Sequence, residues 1–190
     1  MQSALLEHIQ TKISLKAEEQ ELLLSKIESK KISKKELLLQ EGEICDFLCF
    51  VAKGCLRLYI INEKGNEQTL QFGIENWWIT DYMSFDNQKP SHFYIQAVEN
   101  SEIVLIHKND IEYLFSEIPQ LERYFRMILQ KSFAASQMRI KFLFTMSAEE
   151  RYHHFNNSFP EFVQRVPQYM LASYLDFSAE FMSKIRSGKI

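Results

Sequence analysis

Apolar positions along the chain change their period three times. Between residues 3 and 30, Leu5, Leu6, Ile9, Ile13 and Leu15, then Leu22, Leu23, Leu24 and Ile27, recur among Glu and Lys at helical spacing. This predicts two short amphipathic helices. Ser14 precedes the second, with Glu18 and Glu19 in its first turn, where the helix dipole favours acids. From Lys35 to about Lys108 the pattern turns strand-like. Glu36 to Leu39 stops at Glu41-Gly42-Glu43. Phe47–Ala52 and Cys55–Ile61 are divided by Lys53-Gly54, and Arg57 alternates with apolar neighbours. Asn62 to Asn66 reads as a hairpin loop, with Gly65 free to take positive φ. Gln68–Phe72, Phe93–Ala97 and Glu102–Ile106 continue the series. Short strands at roughly 8–12-residue spacing predict an antiparallel sandwich or roll.

From Asn109 the helical period returns. Asn109 or Asp110 is the expected cap of a short helix through Phe115, and Pro119 suits the first turn of a longer one reaching about Phe144. Its apolar set includes Leu121, Phe125, Ile128, Leu129, Phe133, Met138, Ile140, Phe142 and Leu143, around a small-residue stretch from Ser132 to Ser136. A helix of about 25 residues spans roughly 37 Å at ~1.5 Å per residue, more apolar surface than one roll covers. Part is expected to pack on the roll and part on a twin helix of a second subunit. The alternative is a helix packed only within its own chain. Ser147-Ala148-Glu149-Glu150 is a capping box, so a new helix starts there and Thr145-Met146 is the expected hinge. Pro160 and Pro167 open the later segments.

Composition narrows the function classes. Of 190 residues, 22 are Lys or Arg and 25 Asp or Glu, a net charge of −3. A chain that coats nucleic acid along its length should be basic, so any such site must be local. No apolar run approaches the ~18 residues of a membrane span. Glu7 and Lys12 interrupt the region where a signal peptide needs its apolar stretch, and a cytoplasmic protein is expected, without membrane contact. Cys45, Cys49 and Cys55 are odd in number, match no common zinc spacing and lie in apolar sequence. They are expected to be buried free thiols.

Local positive charge gathers in the last 24 residues, Pro167 to Ile190. Met170, Leu171 and Leu175 form one helical face, with Ala172 small enough for a second helix to cross. Asp176-Phe177 is a tight break, Ser178 a good N-cap, and Phe181, Met182 and Ile185 line the next helix. Two short helices around such a turn make a helix-turn-helix. Its outward positions are Ala179, Glu180, Ser183, Lys184 and Ser187, and Lys184, Arg186 and Lys189 cluster positive charge.

The segment LASYLDFSAEFMSKIR resembles the DNA-binding helix-turn-helix of the Crp/Fnr family of bacterial transcription regulators. EGEICDFLCFVAKGCLRLYIINEKGNEQTLQF is similar to that family's roll, with Gly42, Gly54 and Gly65 at its turns. The resemblance covers nearly the whole chain. It implies an α+β protein: an antiparallel, jelly-roll-like β-roll with N-terminal helices, a long dimerisation helix and an all-α helix-turn-helix domain. The expected boundaries are 1–117, 118–144 and 145–190. It further implies a homodimer placing two recognition helices in successive major grooves of double-stranded DNA, roughly 34 Å apart. Ser178, Ala179, Glu180, Ser183, Lys184, Arg186 and Lys189 are the expected DNA-contacting residues. Glu180 matches a base-reading glutamate that accepts from cytosine. Lys184 stands where a guanine-reading arginine is frequent; it keeps the charge and loses the bidentate fork. Asp176 replaces a usual glycine, and wing strands beyond Ile190 are not expected. RNA polymerase is a further expected partner.

In cyclic-AMP-binding members of that family, a Gly-Glu pair and an Arg-Ser or Arg-Thr pair hold ribose and phosphate. Here Thr80-Asp81 and Ser91-His92 take those places, and no arginine lies between residues 77 and 93. Cyclic AMP binding in the family's manner is therefore not expected. Trp77, Trp78, Asp81, Tyr82, Ser91 and His92 either line a pocket for another small-molecule effector or fill the space a nucleotide would take. A cupin-type metal enzyme would need converging histidines, yet His92 and His107 are isolated and His153-His154 sit on a predicted helix. No phosphate loop, nucleophile elbow or His-Glu-x-x-His pattern occurs, so no enzyme is expected. The competing expectation is a dimeric module that binds a small molecule or protein without touching DNA.

Overall fold

The computed structural model describes residues 1–186, Arg186 by its backbone alone. The elements in chain order are α1 (Gln2–Gln10), α2 (Ala17–Ser25), β1 (Glu28–Ile32), β2 (Leu37–Leu39), β3 (Phe47–Lys53), β4 (Leu56–Ile61), β5 (Glu67–Gly73), β6 (Trp78–Ile79), α3 (Tyr82–Asn87), β7 (Tyr94–Ala97) and β8 (Ser101–His107). Helices follow to the end: α4 (Lys108–Glu117), α5 (Gln120–Thr145), α6 (Ala148–Ser158), α7 (Pro160–Arg165), α8 (Gln168–Leu175) and α9 (Ala179–Arg186). Two compact units result: residues 1–59 with 71–129, and residues 60–70 with those from 130 onward.

The first unit is the antiparallel roll. One sheet has the order β1-β8-β3-β6 and the other β2-β7-β4-β5. In β3, Phe47 to Val51 are all buried, because both faces of this central strand are covered, and the run is therefore continuously apolar. Leu48 and Phe50 face a helical layer and join Leu5, Ile9, Leu23, Leu114, Leu121, Tyr124 and Phe125 in one core. Cys49 and Val51, also buried, point to the opposite face by the alternation of the pleat. Gly54 turns the chain between β3 and β4 at φ 101°, where an added Cβ would meet Ser101 Cα at 2.8 Å. No other residue type fits there without moving backbone.

Two local expectations need correction, and a buried cation joins them. Residues 28–32 were expected outside the strand region; they form β1, paired antiparallel to β8. Only Ile32 of this strand is buried, and lysines on a sheet edge discourage further pairing, so its pattern lacks an apolar alternation. The short helix after the roll begins at Lys108 with His107 in the cap position and no side-chain cap bond, rather than at an Asn109 or Asp110 cap. Asp110 instead lies in the first turn and pairs with Lys26 at 3.1 Å. Arg57, on the polar side of its strand by alternation, is 1% exposed. Its guanidinium donates to Gln96 Oε1, at 3.1 Å from Nε and 2.6 Å from Nη2, and lies 4.0 Å from the centre of the Tyr59 ring. Gln96 is its direct cross-strand neighbour, and the Tyr59–Tyr94 stack beside it closes over the charge.

In the second unit the capping box forms as expected. Glu150 N donates to Ser147 Oγ at 3.2 Å, and Ser147 N donates to Glu150 Oε2 at 2.7 Å. Helix α5 ends at Thr145, so the break falls at the expected hinge. Leu171, Ala172, Leu175 and Met182 make the small core that joins α8 to α9. Along α5, Phe133 is 66% exposed, Ile140 53% and Phe144 87%; spaced seven and four, they lie on one face.

Candidate functional site

Two sites follow from this framework. The first is the turn from β6 through α3 to β7. Asp81 caps α3: its Oδ1 accepts from Met83 N at 3.0 Å and Ser84 N at 3.1 Å. The other carboxylate oxygen accepts from Ser91 Oγ at 2.7 Å. Ser91 Oγ also accepts from Phe93 N at 2.9 Å. Thr80 Oγ1 donates to Phe47 O at 2.7 Å, and Ser84 Oγ accepts from Cys45 N at 2.9 Å while donating to Lys89 O at 2.5 Å. Thr80, Asp81, Ser84 and Ser91 are all buried. Their polar atoms thus satisfy one another and the surrounding backbone, as buried polar groups must.

The six expected pocket residues have different surroundings. Asp81 and Ser91 meet, but Trp78 belongs to the apolar core, packed on Phe50 and Phe125 with its indole N–H donating to Tyr124 Oη at 2.8 Å. Trp77 is 44% and Tyr82 41% exposed, and His92 is exposed. Two clefts of about 330 and 500 Å³ lie elsewhere, one beside Lys31, Lys53 and Asn100 and one beside Met1 and Ser29. Ser84 and Cys45 belong to the polar network although sequence reasoning passed over them; Asp81 followed by a serine three residues on was the available capping signal. The junction at Tyr124 was also missed. Its hydroxyl lies 2.7 Å from His8 Nδ1 as well as beside Trp78, and burial pushes its phenol up from the ordinary value.

The second site is the outward face of α9. Ser178, Ala179, Glu180, Ser183 and Lys184 are exposed while Met182 and Ile185 are buried, so the expected face forms. Ser178 Oγ accepts from Phe181 N at 3.2 Å, capping the helix. The Glu180 carboxyl is held below its usual range by its own backbone N–H and then by the Ser178 hydroxyl, so it is ionised and accepts hydrogen bonds at neutral pH. The Arg186 side chain and Lys189, also expected here, lie outside the described residues.

Among the described residues no three His, Cys, Asp or Glu side chains converge. Cys45, Cys49 and Cys55 are buried, and burial pushes the Cys45 and Cys49 thiols up, which favours their protonated form. No described helix is long and apolar enough to cross a membrane.

Residues 29–117 match the Cyclic nucleotide-binding domain family. The chain is 30% identical over 141 residues to Electron transport regulator A of Shewanella oneidensis, covering 73% of this chain and 55% of that one. Among solved structures, the c-di-GMP-responsive global regulator CLP of Xanthomonas campestris superposes with TM-score 0.75 at 15% identity, covering 92% of this chain and 91% of that one. A structure assigned to the Crp/Fnr family from Eubacterium rectale gives TM-score 0.69 at 13% identity, covering 92% and 84%. These two structural likenesses are likenesses of fold. The chain spans about half the length of the curated relatives it matches.

Proposed function

We propose that this chain is a transcription regulator of the Crp/Fnr family and that it binds double-stranded DNA sequence-specifically as a homodimer. The observation that carries the reading is the face of α9. A short helix, capped by Ser178 and anchored by Met182 and Ile185, turns Ala179, Glu180, Ser183 and Lys184 outward. In a major groove, the Glu180 carboxylate accepts from a cytosine amino group and Lys184 donates to a guanine edge or a phosphate. The exposed face of Phe133, Ile140 and Phe144 supports pairing of two α5 helices. In this reading residues 1–117 are the sensor, 118–144 the dimer helix and 145–190 the DNA-binding part. The protein is a regulator and not a catalyst, acts in the cytoplasm, and has RNA polymerase as a further partner.

Cyclic AMP is not its effector in this proposal. A phosphodiester needs a fixed cation and free amides. Here Ser91 stands where the family's arginine would, its hydroxyl bonded to Asp81, and Asp81 already occupies the first amides of α3.

Fluorescence anisotropy tests the DNA reading, comparing the protein's own promoter region with a scrambled duplex at several salt concentrations and without added ligand. Preferential binding that weakens steeply with salt is expected. Lys184→Ala should then weaken binding by ~1–3 kcal/mol if it reads a base. If it contacts a phosphate, the salt slope should fall by about one instead. Absence of binding to excess duplex at low salt would favour a dimeric module without DNA contact.

A further inference from the structure

We infer that Arg139 and Arg151 are positioning residues for the recognition helix, closing with Gln68 a collar around the C-terminus of α8; the inference rests on the DNA-binding reading of α9. A helix end leaves its last four carbonyls without intrahelical donors. In α8 these are Ala172 to Leu175, and each has a partner. Phe177 N donates to Ala172 O at 3.1 Å and Asp176 N to Ser173 O at 3.3 Å. Ser173 O also accepts from Gln68 Nε2. Arg139 Nη2 donates to Tyr174 O at 2.8 Å, with the guanidinium carbon 4.4 Å from the centre of the Tyr174 ring. Arg151 Nε donates to Leu175 O at 3.0 Å and its Nη2 reaches Asp176 O at 3.4 Å.

The donors come from three places far apart in sequence: the start of β5, the long helix, and α6. Arg151 Nη1 also donates to Met146 O at 2.8 Å. One planar guanidinium therefore ties the hinge between α5 and α6 to the turn of the helix-turn-helix. The start of β5 is held a second time: Ser173 Oγ accepts from Thr69 N at 2.7 Å and donates to Glu67 O at 2.9 Å, taking the place of a neighbouring strand. Asp176 follows in left-handed backbone at φ 63° and ψ 52°, and α9 starts three residues later. The direction of α9 is thus set by the carbonyl end that the collar grips. Cations at a helix C-terminus also oppose its dipole. Both arginines lie near a DNA-reading helix and would pass for phosphate ligands, yet their donors point at backbone carbonyls.

Arg139 and Arg151 are each replaced by Gln and by Lys in the full chain. Amide exchange across α8 and α9 is measured in the free protein, and duplex affinity as a function of salt. The amides of Asp176 to Met182 should exchange at least about tenfold faster in the Gln variants, since hydrogen bonds to charged groups are worth that much or more. Affinity for the preferred duplex should fall by about tenfold with the salt slope at its wild-type value. At position 151 lysine should not rescue, because an ammonium cannot span the carbonyls of Met146 and Leu175. A slope reduced by about one, with affinity restored by lysine and exchange unchanged, would mark a phosphate contact and overturn the proposal. Unchanged exchange in all four variants overturns it as well. If the wild-type chain binds no duplex while the Gln variants exchange faster, the collar stands and the DNA-binding reading fails. The Arg139 pair keeps the test open should Arg151→Gln unfold the unit.

Discussion

Replacing Tyr124 with Phe removes a single oxygen from the core of the roll. That hydroxyl accepts from the Trp78 indole N–H at 2.8 Å and lies 2.7 Å from His8 Nδ1. An indole N–H only donates, so the hydroxyl keeps its own proton for His8. Tyr124 is 0% and Trp78 6% exposed, so in the variant the indole N–H stays buried without an acceptor. A stranded buried donor costs roughly 1–3 kcal/mol. The His8 end adds less, because His8 is half-buried and water can reach it. The ring keeps its contacts with Phe125 and Trp78, so the packing loss is small. The expected total is about 2 kcal/mol. Both tryptophans of the chain are adjacent, Trp77 and Trp78, and both lie in the first unit. Intrinsic fluorescence in urea therefore follows the roll by itself, which matters because a chain of two units need not unfold in one step. With a slope of about 2 kcal/mol/M, the midpoint should fall by about 1 M. A loss below about 0.5 kcal/mol at unchanged slope would refute the reasoning, showing that the indole does not depend on this hydroxyl.

Two further outcomes are expected. Cyclic AMP should leave the melting temperature of the roll unchanged at any concentration, because Asp81 and Ser91 are already paired and ligand-linked stabilisation needs a site; a rise that saturates with ligand would contradict this. The Glu150 carboxyl is held below its ordinary 4.5, first by the Ser147 backbone N–H and then by its hydroxyl. A lowered folded value means that its contribution to the hinge cap is present above pH 4.5 and lost as pH falls through the lowered value. The Ser147 amide should accordingly lose exchange protection on acidification, corrected for intrinsic rates, while Glu150→Gln should show no such step; identical pH profiles would dismiss the carboxylate's part.

The helical half of the chain was the most legible in sequence, because its signals are local. Ser147 with Glu150, Pro160, Pro167 and Ser178 each act within one turn of the backbone they start, and the structure places helix starts beside all of them. The outward face of α9 was legible for the same reason, since helical period alone separates Lys184 from Met182 and Ile185. Edge strand β1 was not. Its residues alternate among Glu, Ser and Lys, and only pairing with β8 makes them a strand.

What the tertiary structure alone decided is which side of an equal choice each residue takes. Trp77 and Trp78 are chemically identical neighbours, and the register that pairs Trp78 with Phe50 sends Trp78 into the core and leaves Trp77 44% exposed. Arg57 looks like a solvent-facing strand residue until Gln96 arrives opposite it from a distant strand. Asp81 and Ser91, ten residues apart, meet through a 2.7 Å hydrogen bond. Arg139, Arg151 and Gln68 carry no sign in sequence of the carbonyls they cap, Gln68 being 105 residues from Ser173. Backbone caps and periodicity act over three or four residues and can be read in place. Partners for buried polar groups are chosen across the fold, because what decides them is the cost of leaving a donor or acceptor unsatisfied once water is gone.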